Sequence, residues 1–199
     1  MFKAFMILVV SAFIGLSPAF AAQDAAQEFP ELQKKAAQGD PLAQYSLGKA
    51  YLAGQEVDKD FDKALPLLTK AAEQGHAEAQ FSLANMYYNG YGVQPDRAEA
   101  LKWYLKSAEQ GHVVAQSNVA YFYRAGWGDK KNFVKAYMWY TIAITGGDVF
   151  SADERNRMSV MMTKQQIAEG LDLAKKWKPV KSKVTQRAIE SSKKNKDTD

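Results

Sequence analysis

The 199-residue sequence contains no cysteine and only two histidines. Disulfide staples, thiolate metal sites, thiol catalysis and a cysteine-linked lipid anchor are excluded, and His76 and His112 leave a zinc site almost nothing to be built from. Packing alone must hold the fold together. Charge of one sign is also scarce over most of the chain. The formal net charge is +4, and residues 178–199, with seven Lys or Arg against three acids, carry a surplus of that size. A nearly neutral body argues against a nucleic-acid groove, and the basic end over 180–199 reads as a solvated, disordered tail. No G-x-x-x-x-G-K-[ST], G-x-G-x-x-G or H-E-x-x-H run occurs, so no phosphate-cradling loop or paired metal-ligand helix argues for an enzyme.

The first residues supply the one long apolar run. Lys3 precedes an apolar stretch from Ala4 to Leu16, and Pro18 with Ala19-Phe20-Ala21 follows. One positive charge, a short apolar region and an A-x-A site are the parts of a secretory signal peptide, expected over 1–21 with cleavage after Ala21. An uncleaved membrane anchor is the competing reading, and Pro18 would break its helix near the end. A cleaved chain is periplasmic or secreted and keeps no stable membrane span.

What the chain has in abundance is a period. Gly54, Gly90 and Gly126 are 36 residues apart, as are Tyr51, Tyr87 and Tyr123, then Ala64, Ala100 and Ala136, then Gly75, Gly111 and Gly147. Self-similarity at this period means stacked helix-turn-helix units. The units run over 41–76, 77–112 and 113–148. In each, helix A places Ala43, Leu47 and Tyr51, or their equivalents, on one face at a spacing of four. Helix B repeats the pattern with Ala64, Leu68 and Ala71, then Ala100, Tyr104 and Ser107, then Ala136, Tyr140 and Ala143. Glycine suits the left-handed position that ends helix A. Asp60, Asp96 and Asn132 stand where a short polar oxygen can cap helix B. Pro66 falls inside the first helix B and predicts a local bend. His76 and His112 share one repeat position, just after a helix-ending glycine, and read as exposed loop residues.

An array needs its ends covered. Within 22–40, Phe29, Leu32 and Ala36 align with the helix-B residues Leu65, Leu68 and Ala72, predicting an N-terminal capping helix. Over 149–179, Ser151 to Met162 reads as one capping helix, and Thr163-Lys164-Gln165-Gln166 opens a second as a capping box.

Together these residues resemble the Sel-one-like repeat (SLR) family, a relative of the tetratricopeptide repeat. The likeness rests on Ala79-Gln80-x-x-Leu83-Ala84-x-x-Tyr87-x-x-Gly90-x-Gly92-Val93 and on Ala100-x-x-Trp103-x-x-x-Ser107-Ala108-Glu109-Gln110-Gly111-His112. It implies an all-α, right-handed superhelical solenoid of three 36-residue units between capping helices. Cysteine-rich members have been linked with β-lactam binding or hydrolysis, but this chain has no cysteine, so that activity is not carried over. In the related fold helix A lines the concave groove. The groove residues then implied are Tyr45, Ser46 and Lys49 in the first unit, Asn85, Tyr88 and Asn89 in the second, and Asn118, Tyr121 and Arg124 in the third. Amide, phenol and guanidinium groups suit an extended peptide. The expectation is an exported, non-enzymatic adaptor that binds a protein or peptide partner without metal or cofactor, in envelope assembly or signalling. The alternative is a peptidoglycan or glycan binder of the cell envelope, with Tyr88, Tyr121 and Trp127 stacking on sugars. Tyr91 and Trp127 sit in the loops, where each fits either a partner contact or a fold over a helix end.

Overall fold

The computed structural model describes residues 29–55 and 57–182, with residues 184 and 186. The expected signal peptide over 1–21, and most of the tail beyond 182, lie outside the described residues. Among those described, all regular structure is helical. Helix α1 covers residues 29–37. Helices α2 (Pro41–Ala53) and α3 (Phe61–Glu73) form the first repeat, α4 (Ala77–Asn89) and α5 (Arg97–Glu109) the second, α6 (Val113–Ala125) and α7 (Phe133–Thr145) the third. Helices α8 (Phe150–Ser159) and α9 (Lys164–Lys176) follow. The two helices of each repeat pack on each other, and the second packs on the first helix of the next unit, which makes a solenoid. Pro66 does not interrupt α3, which is continuous from Phe61 to Glu73.

The boundaries have local causes. Gly54, Gly90 and Gly126 take the left-handed conformation at φ 71°, 74° and 74°, and each donates its N–H to the carbonyl four residues back. Asp60, Asp96 and Asn132 cap α3, α5 and α7 through their side-chain oxygens. The A helices carry a second set of caps at a spacing of 36, namely Asp40, His76 and His112. The histidines are therefore not exposed loop residues. Nδ1 of His76 accepts the Ala79 N–H at 3.3 Å and Nδ1 of His112 accepts that of Ala115 at 3.0 Å. The ring of Tyr45 stacks on His76 at 4.6 Å and that of Phe81 on His112 at 4.5 Å.

An accepting Nδ1 requires the neutral imidazole. Burial pushes the His76 pKa below its ordinary value, with Glu78 and Asp40 opposing. Because the folded value is depressed, this contribution to stability is complete above the unfolded histidine pKa of about 6.5. It is lost as the pH falls below that value, until the folded pKa is passed. Urea melts between pH 7.5 and 5 should show this decline, and His76→Asn, which keeps a cap oxygen but does not titrate, should flatten it.

Small residues face large ones in the core. Ala64, Ala100 and Ala136 are fully buried, as is Leu68, with Tyr104 and Tyr140 almost so. At Gly48 a Cβ would lie 2.8 Å from Leu68 Cγ, so α2 and α3 touch there without a side chain between them. A polar ladder runs beside this core. Buried Gln44, Gln80 and Gln116 donate from Nε2 to the carbonyls of Ala36, Ala72 and Ala108 at 3.2, 3.0 and 3.2 Å. Each of these carbonyls lies in the last turn of the preceding B-type helix and also accepts the N–H of Gly39, Gly75 or Gly111, so the glutamine supplies its second donor. Gln74 and Gln110 in turn donate to Oε1 of Gln44 and Gln80 at 2.8 and 2.7 Å. Gly146 stands at the third such position, and Oε1 of Gln116 has no partner.

The ends are closed as expected in outline and differently in detail. Phe29, Leu32 and Ala36 of α1 pack on Ala43 and Leu47. At the other end, Ser151 and Met158 of α8 are buried at the positions of Ala115 and Phe122, so α8 is the A helix of an unfinished repeat. It ends at Ser159, short of the expected Met162. The Thr163–Gln166 capping box opens α9. Helices α8 and α9 each pack on α7.

Beyond α9 the chain turns back along the array. Val180 donates its N–H to Glu109 O at 2.7 Å and Ser182 Oγ donates to Gly75 O at 2.7 Å. A solvated tail beginning at residue 180 is thus corrected: 180 and 182 lie on the ends of α5 and α3, whose terminal carbonyls lack intrahelical donors. Removing Lys183–Asp199 should leave the melting midpoint unchanged. Removing Pro179–Asp199 should lower it by a few degrees, consistent with two hydrogen bonds of roughly 1 kcal/mol each.

Candidate functional site

The nine residues expected to line a groove fall largely into three rows. Ser46 and Asn118 share one repeat position, Lys49, Asn85 and Tyr121 a second, and Tyr88 and Arg124 a third. The rows are three residues apart within each A helix and so occupy one face. Helices α2 and α4 also meet, which sets consecutive A helices side by side.

The structure brings Tyr88, Tyr121 and Arg124 together and adds Trp127 from the loop after α6. Tyr88 lies 6.0 Å from the Trp127 ring and 5.6 Å from that of Phe122. Tyr121 meets Trp127 edge-on at 5.1 Å, and the Arg124 guanidinium lies 5.2 Å from the Tyr121 ring centroid. Arg97, at the start of α5, stacks its guanidinium 4.2 Å from the Trp127 ring. Gly128 permits this fold, since a Cβ there would stand 2.4 Å from the Arg97 carbonyl oxygen. Trp127 thus both covers a helix end and joins the A-helix face. Tyr91 instead stacks on Phe61 at 4.9 Å. Arg124 also pairs with Glu154 of α8 at 3.4 Å.

Other residues of the set have structural work. Tyr45 belongs to the contact with His76 between repeats rather than to the row. Asn85 Oδ1 accepts the Tyr104 hydroxyl at 2.5 Å, leaving only its NH₂ for a partner. Exposed Asn89 donates to the Asn85 carbonyl at 2.9 Å. Asn118 is half-buried and its side chain makes no hydrogen bond with the described residues, so its amide is available. Lys49 is exposed, with Nζ 5.8 Å from the Tyr45 ring.

Ser46-Leu47-Gly48-Lys49 has the spacing of a serine nucleophile motif, yet Ser46 and Lys49 are not hydrogen-bonded to each other. Nucleophile and base must lie within that reach to act.

The site and the array together define a helical-repeat scaffold. The Sel1 repeat model matches residues 41–76, 77–112 and 113–148, more than half of the chain. The chain belongs to the Sel1 repeat family. A Sel1 repeat protein from Oxalobacter formigenes, known from its crystal structure, is 33% identical, with a TM-score of 0.61, over 66% of this chain and 98% of that one. Helicobacter pylori cysteine rich protein B is 21% identical with a TM-score of 0.51, over 63% of this chain and 95% of its own, a likeness of fold alone. No curated protein matches the chain. Sel1 repeats are helical scaffolds that generally mediate protein–protein interaction and are generally not enzymes. Among the described residues no helix is long and apolar enough to cross a membrane.

Proposed function

We propose that this chain is an exported adaptor that holds a protein or peptide partner on the A-helix face of its second and third repeats, in envelope assembly or signalling. One observation carries the reading. Tyr88, Tyr121, Arg124 and Trp127 form a half-buried aromatic and cationic cluster on that face. Trp, Tyr and Arg are enriched among the residues that dominate binding energy at protein interfaces, and the rings bury much area at little cost in side-chain freedom. The free amide of Asn118 and the NH₂ of Asn85 supply donors for an extended backbone beside it. A glycan would need an open ring face, and the Arg97 guanidinium lies over Trp127, which favours the peptide reading.

Hydrogen-exchange footprinting with a partner captured from the cell envelope tests this proposal. Protection should appear in α4 and α6 and be absent from the exposed face of α5; protection confined to α5 and α7 would place the contact elsewhere. Export rests on the residues of 1–21. The mass of the protein recovered outside the cytoplasm should start at Ala22, and an intact Met1 would show a retained segment instead.

A further inference from the structure

A second, separate site lies where the glutamine ladder stops. A cavity of about 620 Å³ opens between the junction of α6 and α7 and the arch made by α9 and the chain after it. Its volume is in the range of small-molecule sites. Gln116 and Gly146 line one wall, and Ile142, Leu171 and Trp177 are among the apolar residues that line the rest.

The wall is chemically incomplete. In the first two repeats the ladder glutamine receives a hydrogen bond from a second glutamine side chain, Gln74 or Gln110. At the third position that donor is replaced by Gly146, and Gln116, 2% exposed, keeps an Oε1 without a partner. The neighbouring substitution matches. Val113 stands where the second repeat has Ala77, and its Cγ2 lies 2.7 Å from the position a Cβ at residue 146 would take. Both residues line the cavity, so the missing amide and the open volume share one boundary. A buried acceptor with no donor is costly, and an apolar cavity beside it defines what would relieve it.

We propose that this cavity binds a small molecule joining a primary carboxamide to a compact apolar body. The ligand N–H takes the part of the absent glutamine amide against Gln116 Oε1, and the apolar body lies against Ile142, Leu171 and Trp177. The site is independent of the A-helix face.

The test uses the full-length, ¹⁵N-labelled chain titrated with 3-phenylpropanamide, with the ketone 4-phenylbutan-2-one, which replaces the NH₂ by a methyl group, and with 3-phenylpropanoate. Saturable shifts are expected at Gly146, the Gln116 side-chain amide and the Trp177 indole, with the amide binding about fivefold tighter than the ketone. The paired variant Val113→Ala/Gly146→Gln, which installs the residues of the second repeat, should keep its melting midpoint and lose these shifts. Equal binding of amide and ketone would overturn the proposal. So would tighter binding of the carboxylate, which would point to Lys175 at the lining, an absence of saturable shifts, or undiminished binding to the paired variant.

Discussion

Tyr121→Asn should lower affinity for the protein partner about thirtyfold and leave the array as stable as before or slightly more so. The two halves of this expectation come from one comparison between repeats. Position 121 of the third repeat corresponds to Asn85 of the second, and Tyr140 corresponds to Tyr104. In the second repeat the buried Tyr104 hydroxyl donates to Asn85 Oδ1. In the third, Tyr121 has taken the asparagine's place, and the Tyr140 hydroxyl has no acceptor, its charged neighbour being the Arg124 guanidinium, which can only donate. Burial pushes the Tyr140 phenol up to about 12, with Arg124 pulling the other way, so it remains a neutral donor at any ordinary pH. Asparagine at 121 would restore its acceptor, a gain on the order of 1 kcal/mol. It would also remove from the A-helix face the ring that touches Trp127 and lies beneath Arg124. Loss of such an anchor costs about 2 kcal/mol of binding, or roughly thirtyfold. Lys102→Ala, on the exposed side of α5, should change affinity by less than about twofold.

The largest loss of stability short of a core deletion is expected at the ladder. Gln80→Ala should destabilise the array by about 2 kcal/mol in urea melts, and Gln116→Ala by about half as much. Both side chains are buried, at 4% and 2% exposure, in the same place on their helices. They differ in connections: Gln80 bonds Ala72 O and also receives Gln110, whereas Gln116 bonds only Ala108 O. Removing Gln80 takes a second donor from Ala72 O and an acceptor from Gln110, whereas removing Gln116 takes only a second donor from Ala108 O, since Gly75 and Gly111 also donate to these two carbonyls. Equal losses would mean that the second bond contributes nothing.

The helices were legible because their signals are local and repeated. Glycine at 54, 90 and 126 and the caps at 60, 96 and 132 act within a few residues, so spacing suffices to read them. The histidines carried the same periodic signal, but histidine is an unusual cap, and only the equivalence with Asp40 hinted at it. The ladder was also present in the period, with glutamine at 44, 80 and 116 and again at 74 and 110. Its burial depends on contacts between repeats about 30 residues apart in sequence, which composition does not reveal.

The A-helix face was legible in part. Tyr88, Tyr121 and Arg124 do gather. The stacking of Tyr45 on His76 depends on a histidine cap, and the use of Asn85 by Tyr104 rests on a pairing that the third repeat breaks, so neither shows in the sequence. The returning segment with Val180 and Ser182 repeats nowhere, so no period could show it.

The most direct test of partner binding on this face is a calorimetric titration of the captured partner into the parent chain and Tyr121→Asn, each melted alongside. Binding about thirtyfold weaker in the variant, with an undiminished melting midpoint, is the expected result. Unchanged affinity in a variant of unchanged stability would contradict it.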